Sequence, residues 1–166
     1  MIFGIGTDIV NVTRLEKSNE FLERFVKRSM TEDEQQAMGL RHLTDLQSRA
    51  LYIAKRFAAK EAVVKAMGTG FQDGIYLSDI EVLHERSGRP IVKLHGAALK
   101  YVQTVVGKHA AVHISLSDDY PFATAVAVID SKDRKLLKLV KIKIKSAVAL
   151  FTVVAKIINF CNGNVF

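Results

Sequence analysis

The stretch RFAAKEAVVKAMGTG, residues 56–70, decides the architecture of this chain. Apolar residues recur in it at i, i+3 and i+4, the spacing of one continuous apolar stripe on an α-helix. Beside that stripe, Phe57, Glu61 and Lys65 form a row that places a carboxylate one turn before an ammonium. The pattern predicts a helix that packs closely through small and medium residues, namely Ala58, Ala59, Ala62, Val63, Ala66 and Met67.

Two glycines end this predicted helix, in the turn Gly68-Thr69-Gly70. Glycine adopts positive φ angles readily and lets a backbone approach a ligand closely. Periodicity leaves two interpretations open. An amphipathic helix with a surface Glu–Lys pair and a glycine cap is the more common origin of such spacing. The alternative is a site in which Glu61, Lys65 and the turn face a ligand.

The N-terminal residues predict a strand. Residues 2–10 are mostly apolar, and Gly4 and Gly6 would let this strand contact another backbone closely. Asp8 interrupts the apolar run near the end of the strand. An aspartate at such a position is usually a turn or cap residue, and it can also be a ligand.

Helix-start signals follow the strand. The spacing TRLE at residues 13–16 is that of a capping box and predicts a helix over residues 13–28. The same spacing recurs as TEDE at residues 31–34 and predicts a second, shorter helix. We expect a third helix to begin near Asp45 and to end at Gly68.

After Gly70 the periodicity changes from helical to period two. Residues 80–83 and 91–94 flank a turn that contains Gly88 and Pro90, and they predict a hairpin. A helix is predicted over 96–107, and apolar and polar residues alternate along 112–117 and in the final strand over 122–129. Strands joined by tight turns favour an α+β fold, with an antiparallel or mixed sheet packed with a long central helix.

Basic residues are unevenly distributed along the chain. The chain has 24 Lys and Arg against 17 Asp and Glu, a net charge of +7. Residues 1–130 hold 16 of each sign, whereas residues 131–166 hold eight basic residues and one Asp. The first part therefore gives no general argument for a polyanion partner, and we expect no nucleic acid. We divide the chain into a domain of residues 1–130 and an extension of residues 131–166.

The extension is basic and then apolar, and three interpretations of it stay open. It packs as an extra helix, lies on an anionic membrane surface, or is sequence without selected function. A basic segment followed by an apolar one is typical of interfacial binding. The first and third interpretations, packing as an extra helix and sequence without selected function, are together favoured over membrane binding.

Several classes of protein are disfavoured by what the sequence lacks. One cysteine, Cys161, allows no intramolecular disulfide and suits a reducing cytoplasm, where we expect the protein. The N-terminus has neither the basic nor the long apolar region of a signal peptide, and no run reaches the roughly 18 apolar residues of a membrane span. A P-loop, an HExxH pair and a GxSxG elbow are missing from the sequence.

Five segments together resemble the holo-acyl-carrier-protein synthase family of the 4′-phosphopantetheinyl transferases. They are GIGTDIV at residues 4–10, residues 56–70, DIEV at 79–82, GRP at 88–90 and HISLSDDYPFATAVAVI at 113–129. The resemblance spans nearly the expected length of that family. Its members usually end where the basic extension of this chain begins.

The resemblance implies transfer of phosphopantetheine from coenzyme A to a serine of apo acyl carrier protein, with release of 3′,5′-ADP, in fatty acid biosynthesis. By motif, Asp8 and Glu61 would hold Mg²⁺, which prefers oxygen ligands and often takes only one or two protein carboxylates. Lys65 would reach a phosphate oxygen. These three residues are the predicted catalytic set, with the general base left open between Glu61 and Asp8.

Other positions would contact substrates. Arg49 and Arg56 are candidates to bind the 3′-phosphate of coenzyme A. The Gly68-Thr69-Gly70 turn is a candidate to contact phosphate or the pantetheine arm, and the polar face of the strand predicted over residues 112–117 is a candidate to line the same site. The predicted contacts to coenzyme A besides Lys65 are Arg49, Arg56, Gly68, Thr69, Gly70, His113 and Ser115.

Carrier proteins of this pathway are strongly acidic, so the resemblance places the carrier on the basic face of the first helix, at Arg14, Arg24 and Arg28. Relatives of similar length act as homotrimers, which implies sites built between neighbouring protomers. A rival hypothesis is a non-catalytic module of the same fold that binds coenzyme A or a partner protein. The presence of Asp8, Glu61 and Lys65 together argues against that hypothesis.

Overall fold

A long helix lying across a three-stranded sheet is the framework on which the other elements are placed. The computed structural model describes residues 1–131, and the predicted extension lies outside the described residues. The described elements, in chain order, are β1 (Ile2–Asn11), a 3₁₀ turn (Val12–Arg14), α1 (Asn19–Ser29), α2 (Glu32–Gly39), α3 (Leu46–Met67), a 3₁₀ turn (Leu77–Asp79), β2 (Ile80–His84), β3 (Pro90–Leu94), α4 (Gly96–Val105), β4 (Ala110–Asp119) and β5 (Phe122–Ser131).

The strands form two antiparallel sheets. One sheet has the order β1-β5-β4, and the other is the hairpin β2-β3. Every strand pairing among residues 1–131 is antiparallel, which resolves the predicted choice between an antiparallel and a mixed sheet. The predicted α+β class with a long central helix is confirmed.

The ends of α3 are fixed by the residues expected from the sequence. Asp45 Oδ1 accepts a hydrogen bond from the backbone N–H of Ser48, at 2.7 Å. Gly68 closes the helix in the left-handed region, with φ of 77°, and its N–H donates to the carbonyl oxygens of Val64 and Lys65. Between these caps the helix is buried over most of its length, so α3 forms the centre of the core.

Close packing of β1 on α3 depends on Gly4 and Gly6. A Cβ at Gly4 would meet the carbonyl oxygen of Ala66, and one at Gly6 would meet the carbonyl oxygen of Ala62. Both positions therefore require glycine, because any side chain would push strand and helix apart. This contact brings the next inward residue of the strand, Asp8, beside the C-terminal half of α3.

The two faces of the larger sheet differ. Its inner face packs on α3 through small apolar residues such as Ala123, Ala125 and Ala127, which are buried. Side chains alternate along a strand, so the intervening residues lie on the opposite, outer face. We define the outer face by its exposed or partly exposed residues, which are Ile5, Thr7, Ile9, Phe122, Thr124, Val126, Val128, His113, Ser115 and Ser117.

The predicted start of the first helix was wrong. Residues 13–16 do not open a helix, because Asn11 Oδ1 takes the backbone N–H of Thr13 and closes a short 3₁₀ turn. The helix α1 begins later, with Ser18 Oγ accepting the N–H of Phe21 at 3.1 Å. Arg14 therefore lies in the 3₁₀ turn, separate from the helix that carries Arg24 and Arg28.

The second helix begins as predicted. Thr31 Oγ1 accepts the N–H of Glu34, and Glu34 Oε2 accepts the N–H of Thr31 at 2.8 Å, so the capping box is complete. The hairpin and the last two strands also match their predicted positions within a few residues. Within residues 1–131, none of the helices has the length and apolar character needed to cross a membrane.

Candidate functional site

Asp8, Glu61 and Lys65 converge where β1 crosses the C-terminal half of α3. Lys65 Nζ donates to Asp8 Oδ1 at 2.8 Å and to the carbonyl oxygen of Thr7 at 3.1 Å. Asp8 and Glu61 line the same cavity of about 530 Å³. The fold thus gathers the predicted catalytic residues from sequence positions more than fifty residues apart.

The charges of these three residues influence one another. Burial raises the pKa of Glu61, and the negative charge of Asp8 raises it further, while Lys65 acts in the opposite direction. The hydrogen bond that Lys65 donates to Asp8 raises the pKa of Lys65, which keeps the ammonium charged. A carboxylate pair of this kind is stabilised in its ionised form by a cation.

The donor set fits a Mg²⁺ ion that is shared with a phosphate ligand. Asp8 and Glu61 supply only carboxylate oxygens, which Mg²⁺ prefers, and two protein ligands leave positions for phosphate and water. Residues 1–131 contain no cluster of three or more His, Cys, Asp or Glu that would enclose a metal by themselves. The site therefore suits an ion held jointly by protein and substrate.

A larger cavity of about 1020 Å³ adjoins the first, and we call it the α1 groove. Helix α1 forms one wall, residues 71–77 form the other, and Glu61 lies between them. Phe21, Phe25 and Phe57 line both cavities. The groove therefore offers an aromatic passage that ends at the carboxylate pair.

Basic side chains surround the two cavities. Arg24 and Arg28 line the α1 groove, and Arg14 lines the smaller cavity from the 3₁₀ turn. All three are exposed. The rim of the site is thus positively charged although residues 1–130 as a whole carry no net charge.

The Gly68-Thr69-Gly70 turn leads from α3 into the wall of the groove at Phe71. Gly68 and Gly70 both have positive φ angles, as expected for a turn that uses glycine. The hydroxyl of Thr69 is buried, and it finds no hydrogen-bond partner within residues 1–131. An unpaired hydroxyl at this position is free to bind a ligand oxygen.

Arg49 and Arg56 occur in different environments on α3. Arg49 is half-buried and donates to Asn19 Oδ1 at 2.7 Å. Arg56 is only 2% exposed, and its guanidinium lies 3.3 Å from the ring centroid of Tyr52. Nη2 of Arg56 donates to Nδ1 of His84 at 3.3 Å. Tyr52 and His84 therefore enclose Arg56, whereas Arg49, the other predicted contact on this helix, is only half-buried.

His113 and Ser115 lie on the outer face of the sheet. Their strand, β4, presents Val112 and Ile114 to the core and these polar residues to the other side. Nε2 of His113 lies 3.2 Å from Asp130 Oδ1. Within one chain they are therefore on the opposite face of the sheet from Asp8, and they do not join its cavity.

Sequence reasoning missed the aromatic lining and the buried charges behind the groove. Phe21 and Phe25 read as ordinary core positions, because helical periodicity does not distinguish a core from a cavity wall. Lys60 and Glu34 are fully buried, and they form an ion pair of 2.7 Å. The one available signal was a lysine that follows two alanines, directly before Glu61.

Known proteins resemble this chain over most of its length. The sequence profile of the 4′-phosphopantetheinyl transferase superfamily matches residues 4–125. Holo-[acyl-carrier-protein] synthase of Magnetococcus marinus is 43% identical over 132 residues, which are 78% of this chain and 94% of that protein. The synthase of Brucella ovis is 41% identical over 134 residues, 79% of this chain and 96% of that protein.

Solved structures agree with the fold. Plasmodium yoelii acyl carrier protein synthase with ADP bound has a TM-score of 0.70 and 33% identity, covering 80% of this chain and 98% of its own. The Bacillus anthracis synthase in complex with coenzyme A (3′,5′-ADP) has a TM-score of 0.63 and 34% identity, covering 80% and 99%. By sequence and fold, this chain belongs to the holo-[acyl-carrier-protein] synthase family of the 4′-phosphopantetheinyl transferase superfamily.

Proposed function

We propose that this protein is a Mg²⁺-dependent phosphopantetheinyl transferase that converts apo acyl carrier protein to its holo form for fatty acid biosynthesis. A serine oxygen of the carrier attacks the phosphorus that bears the pantetheine, the pyrophosphate P–O bond breaks, and 3′,5′-ADP leaves. The observation that carries this proposal is the convergence of Asp8, Glu61 and Lys65 at the end of a groove with a basic rim.

Asp8 and Glu61 would hold the Mg²⁺ ion, as their shared cavity and mutual repulsion suggest. When bound, the ion would neutralise charge on the pyrophosphate oxygens. Either carboxylate is placed to accept the serine proton, and the choice between them stays open. The side chain of Lys65 is 51% exposed, so it can turn from Asp8 toward a phosphate oxygen.

Coenzyme A would approach along α3. The Thr69 and Gly70 positions of the turn and the unpaired Thr69 hydroxyl suit phosphate or the pantetheine arm, while the N–H of Gly68 is used to cap α3. Arg49 is our candidate for the 3′-phosphate, because its guanidinium is near the surface. Arg56 would contribute positive charge from within the core and no direct contact.

The carrier protein would dock against the basic rim. Arg14, Arg24 and Arg28 are exposed around the two cavities, so an acidic surface placed there would bring its serine toward Glu61. Complementary charge of this kind favours fast and specific association.

The working enzyme would be a homotrimer assembled through the outer face of the sheet. Ile5 is 61% exposed and Ile9 is 62% exposed, although both lie in the middle of a strand. Exposed apolar residues grouped on one sheet face are typical of an interaction surface. Assembly through this face would also give His113 and Ser115 a route to the coenzyme A site of a neighbouring copy. The single cysteine in the sequence suits the cytoplasmic location that we propose.

Intact-mass spectrometry of an apo carrier protein tests this function. We expect the full-length protein, coenzyme A and Mg²⁺ to add the mass of one phosphopantetheine, and EDTA to abolish the gain. A gain that persists in EDTA would contradict the metal assignment. If coenzyme A binds while several apo carriers stay unmodified, the protein is instead a binding module of the same fold.

A further inference from the structure

A buried ammonium connects both walls of the α1 groove. Lys60 is 1% exposed and lies directly before Glu61 on α3. Its Nζ donates to the carbonyl oxygen of Ser29 at 2.6 Å and to that of Leu77 at 3.0 Å. Ser29 ends α1 and Leu77 ends the wall formed by residues 71–77, so one nitrogen atom holds the two sides of the groove together.

Glu34 supplies the charge that balances this ammonium. Glu34 Oε2 accepts the third hydrogen bond of Lys60 Nζ, at 2.7 Å, and Glu34 is completely buried. A lysine ammonium has three donors, and all three are used here. Glu34 Oε1 also accepts the backbone N–H of Val82 at 3.0 Å, which ties the pair to β2.

A buried ion pair of this kind contributes little net stability to a core. Moving two charges out of water costs several kcal/mol per ion, and apolar residues of similar volume often stabilise a protein as well or better. The geometry of this pair serves a different purpose. It joins α1, α2, β2 and the second 3₁₀ turn to α3 at the residue next to Glu61.

We propose that Lys60 is a positioning residue that sets the spacing of the α1 groove for the pantetheine arm of coenzyme A. This inference rests on the proposed function. The groove is lined by five aromatic and two aliphatic side chains, with charged side chains such as Arg24, Arg28 and Asp73 among them. Its mostly apolar surface suits a chain of methylene, dimethyl and amide units. The adenosine end of the ligand carries no such arm, so its binding does not depend on the width of the groove.

The test compares two ligands that differ by the arm. The affinities of coenzyme A and of 3′,5′-ADP are measured by calorimetry, with Mg²⁺, on the full-length protein. The main variant is Lys60→Met combined with Glu34→Gln, which removes both buried charges and leaves neither unpaired. We expect the affinity for coenzyme A to fall about ten-fold or more, and that for 3′,5′-ADP to change less than about two-fold, because only the former needs an aligned groove.

Lys55→Met is the matched control. Lys55 is on the same helix and pairs with Asp118 at 2.8 Å, away from the groove, so both affinities should be retained. Equal losses for both ligands, or no loss for coenzyme A, would overturn the proposal. Failure of both Lys60→Met and the double variant to fold would overturn it too, because the pair would then serve the fold alone. If the wild-type protein binds coenzyme A more tightly than 3′,5′-ADP but modifies no carrier, the proposed transferase activity is refuted. The comparison of the two affinities then still tests the role of Lys60.

Discussion

Lys65 Nζ lies 2.8 Å from Asp8 Oδ1, so the ammonium of α3 and the carboxylate of β1 form an ion pair across the helix–strand contact. The pair is partly exposed, with 51% of the Lys65 side chain accessible. Exposed pairs contribute about 0–1 kcal/mol to stability. In the proposed reaction Lys65 would therefore leave Asp8 for a phosphate at little cost, and Asp8 would become available to the metal ion.

Loss of either carboxylate should remove activity and leave the fold intact. We expect Asp8→Asn and Glu61→Gln each to lower kcat/KM for the carrier protein about 100-fold or more, because each removes a negatively charged ligand from the metal site. The melting temperature should change little. Glu85→Gln, in the exposed turn after β2, is the control and should keep wild-type kinetics. Full activity in either site variant would refute the metal assignment.

Reversing the charge of the arginines at the rim should weaken binding of the carrier protein more than binding of coenzyme A. In Arg14→Glu combined with Arg24→Glu we expect the KM for the carrier to rise about ten-fold or more, since like charges now face each other. The affinity for coenzyme A should fall much less in calorimetry, because the pantetheine arm proposed for the α1 groove is uncharged and forms no ion pair with Arg24. Arg86→Glu and Arg89→Glu, in the exposed turn between β2 and β3, provide a control of equal charge change. Equal loss of carrier and coenzyme A binding would contradict this docking site.

A charge on the outer face should break the assembly. Ile5→Glu places a carboxylate in the middle of that face, and burying it in an interface costs several kcal/mol. We expect sedimentation velocity to show that Ile5→Glu is monomeric. In the wild-type protein, the specific activity should fall on dilution, because the proposed trimer dissociates. Leu40→Glu changes an apolar residue that is 75% exposed at the end of α2, and it should remain trimeric. A trimer in Ile5→Glu would move the interface elsewhere.

The glycine contact between β1 and α3 predicts a large stability effect. A methyl group at Gly6 would collide with the carbonyl oxygen of Ala62, which is backbone and cannot turn away. Gly6→Ala should lower the free energy of unfolding by at least about 3 kcal/mol, at the upper end of overpacking effects. Gly39→Ala, where no atom lies within 4 Å of the added methyl, should change it by less than about 1 kcal/mol. Denaturant unfolding measures both variants.

His84 makes stability depend on pH. Burial and the charge of Arg56 lower the pKa of His84 below its ordinary 6.5. Arginine only donates, so Nδ1 of His84 accepts its hydrogen bond and must be unprotonated. Unfolded chains bind the proton near pH 6.5 while the folded chain resists it, so stability falls as pH falls from 6.5 toward the lowered pKa.

His84→Gln should flatten this acid dependence. The comparison is the free energy of unfolding of wild type and variant, measured at intervals from about pH 7 to pH 5, the region in which unfolded histidine takes up its proton. His109→Gln, at an exposed position before β4, should keep the wild-type slope. Identical slopes in wild type and His84→Gln would show that the Arg56–His84 contact does not control this transition.

Local signals predicted most of the framework. Asp45, Thr31 and Gly68 each act through hydrogen bonds or φ angles within a few residues, so the sequence alone located the start of α2 and both ends of α3. The start of α1 was missed because two cap signals compete there, and the side chain of Asn11 closes a turn before Ser18 begins the helix. Such a competition depends on where the preceding strand ends.

The site was predicted less completely than the fold. The motifs predicted Asp8, Glu61 and Lys65, helical spacing marks the last two, and the fold brings all three together. The burial of Arg56 was not foreseeable, since His84 comes from a strand 28 residues later and encloses it only after the chain folds. The aromatic lining of the groove and the Lys60–Glu34 pair likewise depend on packing between helices, which periodicity in one helix does not encode.

Strand β1 performs two tasks with adjacent residues. Asp8 points toward α3 and the cavity that it shares with Glu61, while Ile9, its neighbour in the chain, is exposed on the outer face. A displacement of the strand by one residue would exchange these roles, exposing the carboxylate and burying the isoleucine. In the proposed trimer, a shift of Ile9 at the outer face would therefore also move Asp8, because one peptide unit joins the two residues. A compound that wedges between subunits would act as an inhibitor without ever entering the coenzyme A site.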